Sequence, residues 1–355
     1  MALDQNLKRK LTRDIGISLF IYSLPVLAIY LYFQLNNGHV SESHLTLPPF
    51  LEFVQPVFKN IRSWGLIALA IGLGIVEFAA GLYDEQWTGH ERKVDLICFL
   101  APKLLLPPVV AFFSLTALPY LIPDLANVLS WVPFWGGFFL IAIADDLTQY
   151  WYHRLHHQVP FLWRFHRTHH SAPYMGMAMA SRQNFLYTIF FSQIYLTATL
   201  TYLGLGVPAL FVLVIKSFIT LGAHSSLAWD KPFYKYRILH PIAWVLERLI
   251  STPATHHAHH ADTSGDGVGY FKGNFGNMFF IWDVIFGTGL ITRKFPKSYG
   301  TKSYKSEEWY AQFLWPIFKS KKEGSPLAEG VLAIPISKKD QNVSPNQNIY
   351  ESVQS

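Results

Sequence analysis

The chain has little charge and almost no sulfur. Only 15% of its 355 residues are Asp, Glu, Lys or Arg, against about 25% in ordinary soluble domains. The one cysteine, Cys98, excludes a disulfide within the chain and any cluster of thiolate ligands, so metal ligands must be nitrogen or oxygen. No HExxH-type element is present, and a membrane zinc hydrolase would want such a glutamate base beside its ligands. No GxGxxG fingerprint follows a predicted strand. No basic face carries stacking aromatics, which discounts nucleic acid as a partner despite a net charge of +6 and a pI near 9.1. No solenoid-type repeat is found.

What is present is apolar. Hydrophobic residues make up 51% of the chain and aromatics 16%. Uncharged runs at 15–35, 104–123 and 125–144, and one at 65–83 broken only by Glu77, have about the length that spans a bilayer. Lys8, Arg9, Lys10 and Arg13 precede the first run and set its near end in the cytosol. That run is too long for the core of a signal peptide. Glu77 is expected near the cytosolic end of its span, within reach of water. Pro107 and Pro108 should start or kink the third span near one end, and the short connection at Asp124 pairs it with the fourth. The uncharged run at 185–215 is too long for one span and contains GLGVP at 204–208. It reads as two helices joined by a tight turn, the second ending near His224.

The fourth helix should run on out of the bilayer. Asp145, Asp146 and Gln149 replace the apolar residues, and nothing breaks the helix before Pro160. Counting spans from a cytosolic N-terminus places 145–182 and 224–319 on the cytosolic side. The expected fold is all-α: polytopic membrane helices in two or more hairpins, with a cytosolic histidine-rich helical cap. Residues 1–130 read as N-terminal transmembrane helices and 131–290 as the functional domain. Residues 291–355 read as a polar C-terminal region, with a disordered tail by composition after Lys319.

Histidine is where the chain is rich. Six of its fifteen histidines lie between Trp151 and Ser171, and four more are His256, His257, His259 and His260. His153 and His157 are four apart; His166 stands three and four before His169 and His170; His256 stands three and four before His259 and His260. Such positions share one helix face, where two imidazoles can reach one ion. Pro160 should separate the first two runs onto two helices, and Thr252 with Pro253 reads as an N-cap and first helical residue ahead of the third. An isolated histidine is usually a hydrogen-bonded surface or core residue, and His39, His44, His90 and His240 take that reading. His156 and His257 fall off the common faces. Histidine-rich storage tracts are disordered and low in complexity, whereas these runs are interleaved with Trp151, Phe161, Trp163 and Phe165. Eight or more histidines exceed one zinc ion and suit two ions with open positions. Imidazole serves zinc, copper, iron and nickel alike, so ligand type does not choose the metal. A metal transporter is the rival of another class, and it requires ligands inside the spans.

HRLHH at 153–157, LWRFHRTHHS at 162–171 and PATHHAHH at 253–260 resemble the histidine boxes of the fatty acid hydroxylase/sterol desaturase superfamily. NFGNMFFIWDVIFGT at 274–288 resembles its closing motif. Asp146 matches a family aspartate and His224 the family's isolated histidine. The resemblance implies an integral-membrane di-iron enzyme that uses O2 and two electrons to hydroxylate or desaturate a lipid taken from the bilayer. It implies His153, His157, His166, His169, His170, His224, His256, His259 and His260 as ligands of two iron ions. It also implies that Asp146 and Asp283 accept hydrogen bonds from ligand N–H groups; Trp282 and Phe286 are expected to pack. No cytochrome b5-like domain is visible, so electrons are expected from a separate electron-transfer protein or a reduced pterin. The expected location is the inner membrane in a bacterium or the endoplasmic reticulum in a eukaryote. Two departures stand out. Residues 261–273 lengthen the link to the closing motif, in the manner of a lid or entry loop. Ala228 occupies the place of a second isolated histidine, which leaves His240 or water as replacements. Arg182 and Gln183 resemble an Arg-Gln pair of the alkylglycerol monooxygenase branch.

Overall fold

The computed structural model describes residues 86–301 and 307–328. The expected spans at 15–35 and 65–83, Glu77, His39, His44 and the residues after 328 lie outside the described residues. The described chain is helical, without strands; its only β pairings are the isolated bridges Ile250↔Phe279 and Ala261↔Tyr299.

Helix α1, Gly89–Phe112, is capped by Thr88, whose side chain accepts from the Glu91 amide. It runs on through a π-helical turn at Phe113–Ala117 to Leu118–Leu121. The sequence reading began this span near residue 104, but Pro102, Pro107 and Pro108 lie inside the helix. Proline deletes a backbone donor, and long apolar helices of membrane proteins accommodate it by local adjustment such as a π turn. The first turns bury Glu91, Val94, Asp95 and Cys98. Further on, Leu104, Leu105, Phe112 and Leu121 stand exposed.

The connection to the next helix is longer than the expected short turn. It folds through Pro123–Leu125, and the amides of Asn127 and Leu129 donate to the carbonyls of Tyr202 and Leu203. That ties it to the turn at Gly204, where φ is +112° and a Cβ would sit 2.8 Å from the Ser130 nitrogen. Only glycine fits there.

Helix α2, Phe134–Gln158, is the axis of the fold. It begins nine residues later than the 125–144 run suggests, because Pro133 precedes it. Ile141 and Ala142 pack with Leu205, Ala209, Val212 and Met278 in one buried cluster. Val159 breaks the helix and Pro160 opens α3, Pro160–His170, as the position of the proline predicts. After a helical turn at Phe185–Ile189 come α4, Ser192–Leu200, and α5, Gly206–His224. They are joined across the Gly204 kink, as the GLGVP motif predicts, and both pack on α2. Helix α6, His240–Leu249, leads to α7, Pro253–His259. Thr252 and Thr255 make a reciprocal capping box at its start. Helix α8 is Ile281–Ile285 and α9 is Trp309–Leu314.

The polar tail expected after Lys319 begins too early. The Ser320 amide donates to the Leu327 carbonyl, the Ser325 hydroxyl donates to Glu307, and Leu327 is buried against Ala311 and Trp315. One apolar anchor and a buried acid hold a segment whose composition alone reads as unstructured.

Candidate metal centre

Four helices bring the histidines together. His153 and His157 stand one turn apart at the end of α2. His166, His169 and His170 stand at the end of α3, and His224 is the last residue of α5. His256 and His259 lie on α7, with His260 as its C-cap. The helix ends meet so that the imidazoles form two groups. One comprises His153, His157, His166, His170 and His259; the other comprises His169, His224, His256 and His260. Within each group the ligating atoms lie within 4.8 Å of one another. Both groups consist of histidine alone. The two are adjacent, with the rings of His170 and His260 stacked at 4.3 Å.

The ring nitrogens are arranged for a cation. His153 Nδ1 lies 2.7 Å from the Phe275 carbonyl and His259 Nδ1 lies 2.7 Å from the Gly273 carbonyl. Each Nδ1 therefore carries the proton, and each Nε2 presents a lone pair. Those two Nε2 atoms are only 3.1 Å apart. In the second group, His224 Nδ1 faces the Thr220 carbonyl at 2.7 Å. Its Nε2 lies 2.9 Å from that of His256 and 3.3 Å from that of His169, and the Nε2 atoms of His256 and His260 are 3.1 Å apart. Lone pairs aimed at one another repel unless a cation lies between them. Ligands bound at about 2.0–2.1 Å leave nitrogens about 3 Å apart. Nε2 of His157, His166 and His170 is buried without a hydrogen-bond partner, a state that a metal relieves. Burial also keeps the imidazoles neutral, as ligation requires: it pushes His153 down to about 4, and it lowers His157, His166, His170, His259 and His260 well below the ordinary histidine range. These residues fit a pair of metal ions.

Asp146 and Asp283 act one step further out than expected. The acceptors that face the rings of His153, His259 and His224 are backbone carbonyls. Asp146 accepts from the amides of Met278 and Phe279 and from the Trp282 indole, which fastens the closing motif to α2. Asp283 accepts from the amides of Phe275 and Gly276 and from the Thr288 hydroxyl. It thus fixes the strip of backbone whose Phe275 carbonyl meets His153. Burial pushes its carboxyl up to about 7 against the pull of these donors. A Cβ at Gly276 would stand 2.5 Å from the Phe279 carbonyl, which explains the glycine of the N-x-G element. Trp282, expected to pack only, also donates to Asp146, and Phe286 stacks on Tyr150 at 5.2 Å.

The remaining described histidines stay outside both groups. His156 pairs with the Tyr152 carbonyl, His257 with Tyr299 and the Ser225 carbonyl, and His240 with the Tyr234 carbonyl. His240 therefore does not replace the position held by Ala228. Residues 261–273 fold back on α7: the Tyr270 amide donates to the Ala258 carbonyl, and Val268 and Tyr270 are buried.

A set of residues with no motif braces α3. Thr168 and Ser171, flanking His169 and His170, donate to the backbone and side chain of Gln312. Arg182 is fully buried and reaches Glu91, Asp95, Ser171 and Gln312. Arg167 pairs with Glu307 at 2.7 Å. The sequence reading singled out Arg182 alone among these. The others are distant in sequence, and no spacing links them.

The described chain is helical and brings together two all-histidine groups placed to hold metal ions. Two of its helical stretches, Gly89–Leu121 and Phe185–His224, are long and apolar enough to cross a bilayer. Residues 138–288 match the family model for fatty acid hydroxylase. The chain is 26% identical over 240 residues to the alkylglycerol monooxygenase of Xenopus tropicalis, a match that covers 66% of this chain and 45% of that protein. The chain thus matches under half the length of that relative. No solved structure matches it.

Proposed function

We propose that the protein is a di-iron enzyme that uses O2 to hydroxylate or desaturate a membrane lipid. The observation that carries this reading is the pair of buried, all-imidazole groups at helix ends, inside the matched fatty acid hydroxylase domain. His153, His157, His166, His170 and His259 hold one iron ion, and His169, His224, His256 and His260 hold the other. Iron bound there would supply the activation of O2, with two electrons from the donor and two protons taken up, so that hydroxylation gives an alcohol and one water and desaturation an alkene and two waters. The chain's own residues do the rest. The carbonyls of Phe275, Gly273 and Thr220 fix three imidazole tautomers and ring planes. Asp283 and Asp146 hold the closing motif in register with α2. The apolar faces of α1, α2, α4 and α5 exclude water and let a lipid tail enter from the bilayer. Electrons come from a separate protein or a reduced pterin, and the histidine centre faces the cytosol.

The relative's name favours an alkylglycerol or similar ether lipid as substrate and hydroxylation as the outcome. A metal transporter is disfavoured because the ligands gather at helix ends in a buried cluster rather than along a span. The test is conversion of membrane lipids by iron-loaded protein under isotopically labelled O2. Label in the product lipid is expected for hydroxylation. Loss of two hydrogens without label indicates desaturation, and an unchanged lipid pool contradicts both.

A further inference from the structure

The helices that carry the histidines also carry two other polar layers, which lie deeper among the helices. Asp145 on α2 accepts from Thr197 on α4 at 2.8 Å and pairs with Lys216 on α5. These three residues set the level at which α2, α4 and α5 meet. One helical turn from each, about 6 Å along the axis, stand Gln149 on α2, Gln193 on α4 and Thr220 on α5. One further turn along α2 and α5 come His153 and His224. Helices α2 and α5 both run toward the histidines and α4 runs away from them. Gln149, Gln193 and Thr220 therefore share one level, between the ion pair and the metal centre.

This middle level is polar, buried and unsatisfied. Gln149 is 5% exposed and Gln193 3%. The Gln149 carbonyl oxygen, both the oxygen and nitrogen of the Gln193 amide, and the Thr220 hydroxyl are buried without a hydrogen-bond partner. Buried amides without partners are costly, and proteins keep them where something else supplies the partner. On one side the ion pair is closed by Thr197; on the other, the free ring nitrogens of the histidine groups point at one another, where a metal ion would take them up. The middle level holds free donors and acceptors that neither the ion pair nor the histidine groups account for.

We propose that Gln149, Gln193 and Thr220 form a polar collar that binds an oxygen function of the substrate lipid, a hydroxyl or ether oxygen lying about one helical turn from the carbon presented to the metal centre. A hydroxyl donates to a glutamine oxygen and accepts from the Gln193 amide or the Thr220 hydroxyl; an ether oxygen accepts only. The collar selects an oxygen-bearing chain over a plain hydrocarbon, because a hydrocarbon leaves all of these groups unpaired. It also fixes which carbon reacts, by anchoring the chain at a set distance from it. This deepens the reading of the protein as a lipid oxygenase and rests on it.

The test uses the iron-loaded full chain in detergent, with cetyl alcohol and hexadecane as matched probes. Binding is read by competition with a fluorescent fatty-chain probe, without turnover, and iron content is measured on the same samples. The native protein is expected to bind the alcohol more tightly than the alkane. Gln149→Leu and Gln193→Leu are each expected to weaken alcohol binding about tenfold, the effect of about 1.4 kcal/mol, with alkane binding and iron content unchanged. Thr220→Val, which keeps the side-chain shape, reports on the third member, and Gln193→Asn is a milder variant should the leucines fail to fold. Equal binding of the two probes by the native protein, or equal weakening of both in folded variants, overturns the collar. Selective binding without O2-dependent lipid conversion overturns the oxygenase reading and leaves the collar standing.

Discussion

At the scale of residues, the histidines separate into those whose Nε2 atoms meet and those that end on a carbonyl or hydroxyl. That division gives a sharp expectation. His259→Ala and His169→Ala, one from each group, should each abolish lipid conversion and lose bound iron, whereas His156→Ala should retain the full iron content. Retention of iron and turnover in both of the first two variants would refute their role as ligands. Asp283 makes a separate prediction. Asn at this position presents one acceptor oxygen where three donors converge, so Asp283→Asn should destabilise the fold by about 1–3 kcal/mol. Iron should also be held less tightly, because the Phe275 carbonyl is no longer fixed against His153. A melting temperature and iron affinity equal to those of the native protein would contradict the role assigned to that carboxylate.

The grouping of the histidines is legible in the sequence because residues three and four apart share a helix face, and Pro160 and Thr252 mark where the helices begin. The acceptors that orient the rings were not legible. They are carbonyls of Phe275, Gly273 and Thr220, and a backbone carbonyl has no residue-type signature. The resemblance implies Asp146 and Asp283 as acceptors for ligand rings, whereas both accept from the closing motif; the sequence cannot tell a carboxylate that touches a ring from one that holds the loop beside it. Gln149 stands one helical turn before His153 on α2, while Gln193 on α4 has no pattern to mark it.

At the scale of elements, α3 and α7 are short helices held by their ends. The capping box of α7 lies one residue from His256 by way of Thr255. Thr252→Ala should cost about 1 kcal/mol, read as a lower melting temperature, and a melting temperature unchanged would contradict the cap. Helix α3 depends instead on the network of Arg182, Glu91, Asp95 and Gln312. Arg182→Met removes the one guanidinium that Glu91 and Asp95 share, and it should destabilise the protein by about 3–5 kcal/mol. Changing both acids to their amides along with the arginine should recover part of that loss. An Arg182→Met protein as stable as the native one would sink this account of α3. Helix α1 shows the limit of local rules. Its three internal prolines predict a break, yet the helix continues through them, because neighbouring contacts and a π turn decide what the isolated sequence does not.

At the scale of the whole molecule, the bundle of α1, α2, α4 and α5 carries its chemistry at one end. All of the grouped histidines lie at helix ends or on short helices packed there, and the apolar stretches extend away from them. Under the proposed function, such an arrangement would present a lipid tail to a fixed centre without carrying the centre into the bilayer. The C-terminal segment belongs to that same end: Glu307 and Gln312 reach α3, so ending the chain before Glu307 should release iron even though every histidine remains. The claim on which the rest depends is the metal itself. Elemental analysis of purified full-length protein, combined with lipid conversion measured with and without O2, tests it most directly. The account predicts two iron ions per chain and no conversion without O2. A single zinc ion per chain, or conversion undiminished when O2 is removed, would contradict it.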